Sequence, residues 1–128
     1  MGLGAGSPYG FCSLISANFG RERILQASLH GNSGLLGGDS VGAFSIAIGR
    51  SRVNRWARIA ATAGPALVFG TNYSSTRSHY TTLGVLANLQ GSLTPIKELG
   101  VGLDLYANLN LEKSAVGAGI TIVLEGNK

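Results

Sequence analysis

Residues 101–112, Val-Gly-Leu-Asp-Leu-Tyr-Ala-Asn-Leu-Asn-Leu-Glu, divide into two sets by strict alternation. Val101, Leu103, Leu105, Ala107, Leu109 and Leu111 make an oily set; Gly102, Asp104, Tyr106, Asn108, Asn110 and Glu112 make a small or polar one. A period of two is that of a β-strand with two unlike faces, and no helix produces it. Which face meets water constrains the fold more than any other feature. With the polar set outside, the chain is a soluble barrel or sandwich. With the oily set outside, its solvent is lipid.

The same alternation recurs along the chain. Leu25, Ala27 and Leu29 alternate with Gln26, Ser28 and His30; Phe44, Ile46 and Ile48 with Ala43, Ser45, Ala47 and Gly49. Seven complete strands are expected at about 9–19, 24–31, 41–49, 56–69, 80–94, 100–110 and 115–124, each at or above the 9–11 residues of a tilted membrane strand. Tight turns at 20–23, 50–55 and 94–98 interleave with longer loops at 31–40 and 70–79 and a short one at 110–114. That rhythm predicts a single domain over 1–128, an all-β, up-and-down antiparallel barrel. Single-chain bacterial barrels have an even strand count. Residues 1–6 therefore read as the outer end of an eighth, first strand, truncated here, whose beginning lies upstream with an export signal.

Composition bears on which face is wet. The chain has 10 Lys and Arg and 6 Asp and Glu among 128 residues, 12% charged, against about 25% in ordinary soluble domains. Within the expected strands only Arg58 and Asp104 are charged, both on the small, polar parity. Gly, Ser, Ala, Asn, Thr and Gln suit a crowded barrel interior better than open water. Trp56, Tyr9, Tyr73 and Tyr80 fall near strand ends, where an interfacial girdle belongs. The oily face is therefore expected to meet lipid, making the barrel transmembrane. The alternative is a soluble, lipocalin-like carrier of a small apolar ligand. No window holds the roughly 18 apolar residues of a membrane helix. Cys12 is alone, so no internal disulfide forms. The net charge of +4 comes from clusters at turns with no basic stripe, so nucleic acid is not an expected partner.

Few residues invite chemistry. Arg58 and Asp104 are expected to pair inside the lumen, directly or through the inward groups Gln90, Tyr106 and Asn108, because buried opposite charges need partners. Arg21, Arg23, Arg50, Arg52, Arg55 and Lys97 would ring one rim, where basic side chains reach lipid headgroups. His30 and Ser33 are weak candidates for a base and nucleophile, with Asp39 as the only carboxylate offered to orient the His. His30 and His79 together supply at most half of a four-ligand metal site, so no metal and no cofactor is expected.

Several stretches resemble small outer-membrane β-barrel proteins of the Bacteroidota. They are Leu86-Ala-Asn-Leu-Gln-Gly-Ser-Leu-Thr-Pro-Ile-Lys-Glu-Leu-Gly-Val-Gly-Leu-Asp-Leu-Tyr-Ala-Asn-Leu-Asn, Gly6-Ser-Pro-Tyr-Gly, Ala27-Ser-Leu-His-Gly-Asn-Ser and Ser114-Ala-Val-Gly-Ala-Gly-Ile. The resemblance implies a barrel fold located in the bacterial outer membrane, in contact with its lipids, lipopolysaccharide included, while the function of such proteins is mostly unassigned. With so little chemistry on offer, the expected role is structural or surface interaction, without catalysis. Two features depart from it: no secretory signal opens the chain, and the last strand ends in Leu124-Glu-Gly-Asn-Lys rather than on an aromatic residue. His30-Gly-Asn-Ser also resembles, in a different residue order, the His-x-Ser-Asn element of outer-membrane lipid A deacylases. A lipid A-modifying enzyme on the same barrel is therefore the catalytic alternative.

Overall fold

The computed structural model of the chain describes residues 1–7, 10–33, 40–72, 78–96, 99–111 and 114–124. Eight strands follow one another: β1 (Gly2–Ser7), β2 (Phe11–Phe19), β3 (Arg23–Ser33), β4 (Ser40–Val53), β5 (Ala57–Asn72), β6 (Ser78–Ile96), β7 (Leu99–Asn110) and β8 (Ala115–Leu124). Each pairs antiparallel with its sequence neighbours, and β1 pairs with β8 to close the ring. The end at which β2, β4 and β6 finish and β3, β5 and β7 begin is the short-turn rim; the end at which β1, β3, β5 and β7 finish is the long-loop rim.

Strand pairing reaches further than the alternation alone predicts. β4 continues through Arg50 and Arg52, whose outward positions extend the Phe44, Ile46, Ile48 series. Arg23 likewise opens β3 opposite Arg50. Charges within strands are thus not confined to Arg58 and Asp104; the added ones stand on the outer face at the short-turn rim. At the other end β2 begins at Phe11, because Gly10 takes φ +86°, a turn conformation that interrupts the run expected from residue 9. β1 is a six-residue strand, with Gly2 opposite Leu14 on one side and Thr121 on the other. Among the described residues, positions 15–19 of β2 pair with β3 alone.

The two faces are sharply unlike. On β7, Leu103 and Leu105 are 64% and 49% exposed, whereas Asp104 and Tyr106 are 0% and 4%. The outer wall carries Leu3, Ile15, Leu25, Phe44, Ile48, Ile59, Leu83, Leu93 and Ile120 in the same manner. Inside, the lumen has two storeys. Towards the long-loop rim lies an apolar cluster that includes Cys12, Val41, Val68 and Leu86. Towards the short-turn rim the interior is polar, with Gln26, Thr62, Asn88 and Asp104 buried.

The strands approach closely where the ring closes, and glycine makes that approach sterically possible. Gly4 stands opposite Gly119 across the β1–β8 seam, and a Cβ on Gly4 would lie 1.9 Å from the Ala118 carbonyl oxygen. One strand further, the Tyr106 ring lies against Gly117, where an added Cβ would come within 2.5 Å of Tyr106 Cε1. Tyr106 has little freedom to move. Its ring centroid is 4.3 Å from that of His30, and its hydroxyl donates to Asn32 Oδ1. Gly117→Ala is therefore expected to destabilise the barrel by about 1–3 kcal/mol, the usual cost of overpacking. Equilibrium urea titration checks it, and the cost should shrink in a Tyr106→Leu background, where the obstructing ring is gone.

Candidate functional site

The lumen holds the densest polar chemistry of the barrel. Alternation turns Asn18, Gln26, Thr62, Asn88, Gln90 and Asp104 inward from five different strands, where side chains of such length reach across a narrow interior. Their hydrogen bonds run in one direction. Thr62 Oγ1 donates to Gln26 Oε1 (2.7 Å), Gln26 Nε2 to Asn18 Oδ1 (2.8 Å), and Asn18 Nδ2 to Gln90 Oε1 (2.8 Å). Gln90 Nε2 then donates to Asp104 Oδ2 (2.5 Å) and to Ser16 Oγ (3.0 Å). Asn88 Nδ2 donates to the second carboxylate oxygen at 2.9 Å and lies 3.4 Å from His30 Nε2. The carboxylate can only accept, so it fixes which way each amide points back along the chain. The network braces five strands to one another across the interior.

The expected ion pair is not formed. Arg58 stands at the short-turn end of β5, opposite Ser92, and its Nη2 donates to the Gly20 carbonyl at 3.3 Å. Asp104 lies opposite Gln90 and takes its two donors from amides. Strand register separates the two charges, and neither Gln90, Tyr106 nor Asn108 bridges them. Gln90 serves Asp104, Tyr106 serves Asn32, and Asn108 Oδ1 is buried without a partner. The stability effects of Arg58→Ala and Asp104→Asn should consequently add to within about 0.5 kcal/mol, as for sites with no shared partner. A double-mutant cycle by urea titration measures the coupling.

His30 and Ser33 are not brought together. Their positions on β3 have opposite parity, so the His30 ring faces the lumen, 3% exposed, while Ser33 is on the outer face. His30 Nδ1 is buried without a partner, and Asp39 lies outside the described residues. Ser33 instead borders a groove of about 460 Å³ in the outer wall. Ser13, Gly31 and Gly42 lie in register and form its floor, with Ile15, Leu29 and Phe69 along its sides. His79 is also on the outer face, 3.0 Å from Thr71 Oγ1 through Nδ1. Among the described residues no three His, Cys, Asp or Glu side chains converge on a point.

The rims complete the inventory. Trp56 is exposed at the short-turn rim, with the Arg55 guanidinium 5.4 Å from its ring centroid. Tyr80 does not join an outer girdle. Its position shares the inward parity of Thr82 and Leu86, and its ring packs against the inner apolar cluster. Tyr9, Tyr73 and Lys97 lie outside the described residues. Arg21, Arg23, Arg50, Arg52 and Arg55 are all exposed at the short-turn rim. Ser51, inward on β4, fastens the first turn there: its hydroxyl donates to the Arg21 carbonyl, and its N–H to that of Glu22 (2.8 Å). Sequence reasoning selected Gln90, Tyr106 and Asn108 by parity but missed Asn18, Gln26 and Asn88. Inward amides at Asn18, Gln26 and Asn88 were the available signal. No protein family, curated protein or solved structure matches the chain.

Proposed function

We propose that the chain is a small integral β-barrel of the bacterial outer membrane, with a structural or surface-interaction role and a filled lumen. One observation carries the reading: large apolar side chains cover the outer wall around the ring while hydrogen-bonded amides and a carboxylate fill the inside. In water that arrangement is costly, since soluble monomers rarely expose apolar patches beyond a few hundred Å². In hydrocarbon it is favourable, and pairing around the ring satisfies the described strands on both edges except chiefly where β2 runs past the short β1. Strands β2 to β8 span 9–19 residues, enough to cross at the usual tilt. The short turns then face the periplasm and the longer loops the exterior, with lipopolysaccharide among the lipids met on that side. The resemblance of residues 86–110 to Bacteroidota barrels supplies the choice of membrane.

Two other readings fit less well. A carrier of an apolar ligand needs an apolar cavity, and half of this interior is a polar network. A lipid A-modifying hydrolase needs its base beside its nucleophile, and His30 and Ser33 stand on opposite faces. Expression behind an export signal in a Gram-negative host tests the proposal. The protein should fractionate with the outer membrane and resist carbonate extraction; a detergent-free, monomeric soluble product would contradict it. In planar bilayers the braced lumen should give no stable open channel.

A further inference from the structure

The short-turn rim carries a concentration of like charge that no acidic side chain neutralises among the described residues. Arg23 on β3 stands directly opposite Arg50 on β4, both on the outer face, and Arg52 follows two residues along the same strand. Opposed positions on paired strands hold their Cβ atoms about 5 Å apart, and like charges there repel. Arg52 lies roughly 7 Å further along, at about 3.3 Å per residue. Arg21 is tied beside them by the bonds from Ser51 to the turn. Among the described residues none of these four guanidinium groups is held by a carboxylate, and Glu22 is the only acid in the same turn. Arg55 and the exposed Trp56 stand at the adjacent β4–β5 turn.

An anion shared between the opposed arginines would turn this repulsion into attraction. Guanidinium groups bind phosphate oxygens bidentately, and the outward direction aims them at whatever surrounds the barrel wall. Given the membrane reading, on which this inference rests, that surrounding is the headgroup layer of one leaflet. We propose that Arg23, Arg50 and Arg52, with Arg21, form a binding site for the phosphate of an anionic phospholipid in the leaflet at the short-turn rim. The site holds one class of lipid against the barrel and fixes the depth at which that rim sits.

Trp56, the single tryptophan of the chain, is a built-in reporter close to the patch. The protein is folded into phosphatidylcholine vesicles containing a minor fraction of dansyl-labelled phosphatidylglycerol or, in parallel, dansyl-labelled phosphatidylcholine. Energy transfer from Trp56 is then compared. The anionic lipid should be favoured several-fold, and the preference should fall steeply with added salt, a readout that needs no variant. Arg23→Gln and Arg50→Gln should each lower the preference by up to about fivefold, the value of one basic residue at an anionic surface. Arg58→Gln removes the same charge from the inward face of the same rim and should leave the preference intact. Equal transfer from both lipids overturns the site, as does a loss with Arg58→Gln matching that with Arg50→Gln, which would mark bulk charge alone. Transfer from neither lipid overturns the membrane reading itself, and the site with it.

Discussion

Leu103→Arg and Leu105→Arg are each expected to lower the stability of the barrel in a bilayer by about 2–4 kcal/mol. Both side chains stand on the outer wall of β7, near the middle of a strand whose alternate residues are buried. A guanidinium there must leave water for hydrocarbon, and the measured penalty for Arg on the lipid face is of that size at the midplane. Towards the strand end the penalty declines, so Leu99→Arg should cost far less. In water the same substitutions would be nearly neutral, because an exposed Leu exchanged for Arg usually changes stability within about 0.5 kcal/mol. Urea titration of folding into vesicles, followed through Trp56 emission, separates the two regimes.

A loss of comparable size is expected when the buried carboxylate is stripped of its donors. Asn88→Leu and Gln90→Leu together leave Asp104, fully buried, without the two amide hydrogen bonds that hold it. Each bond to a charged group contributes about 1.5–3 kcal/mol, and removing one side of a buried charged interaction costs about 3–5 kcal/mol. The combined loss should be near the upper figure. Adding Asp104→Leu to the same chain should restore part of the stability, since no charge then remains unpaired. If the third substitution deepens the loss, the carboxylate is not the element the amides serve. Gln90→Leu also breaks the link to Asn18 and Ser16, so it should cost more alone than Asn88→Leu does.

Much of this barrel is written in the parity of its residues. Strand direction, the inward placement of Asp104 and Tyr106 and the outward placement of Leu103 follow from a period of two that a turn cannot change within a strand. Position along the barrel axis does not follow, because it depends on register and stagger between strands. Arg58 and Asp104 share the inward parity, yet pairing places Ser92 beside one and Gln90 beside the other. Arithmetic on charges alone made them partners; the register gave Asp104 to two amides. Strand ends were also hidden, since Arg50 and Arg52 look like turn residues in the sequence. Their outward alternation continues the wall. Tyr80 illustrates the converse error: an aromatic near a strand end suggests a girdle, but its even position turns it inward. The short β1 was found by counting strands, since Leu3 and Ala5 alternating with glycines make too brief a pattern to mark a strand alone.

The claim on which the rest depends is that the oily parity faces hydrocarbon. Spin labels placed one at a time along β7, from position 101 to 109 in a Cys12→Ala background, measure it directly after folding into vesicles. Collision with oxygen, which concentrates in hydrocarbon, is compared at each site with collision with a water-soluble nickel chelate. The account predicts high oxygen and low nickel accessibility at Val101, Leu103, Leu105, Ala107 and Leu109. The intervening inward sites should show low values for both, in a lumen packed with side chains. High nickel accessibility at the odd positions, with oxygen no higher than in bulk water, would place that wall in water and contradict the account.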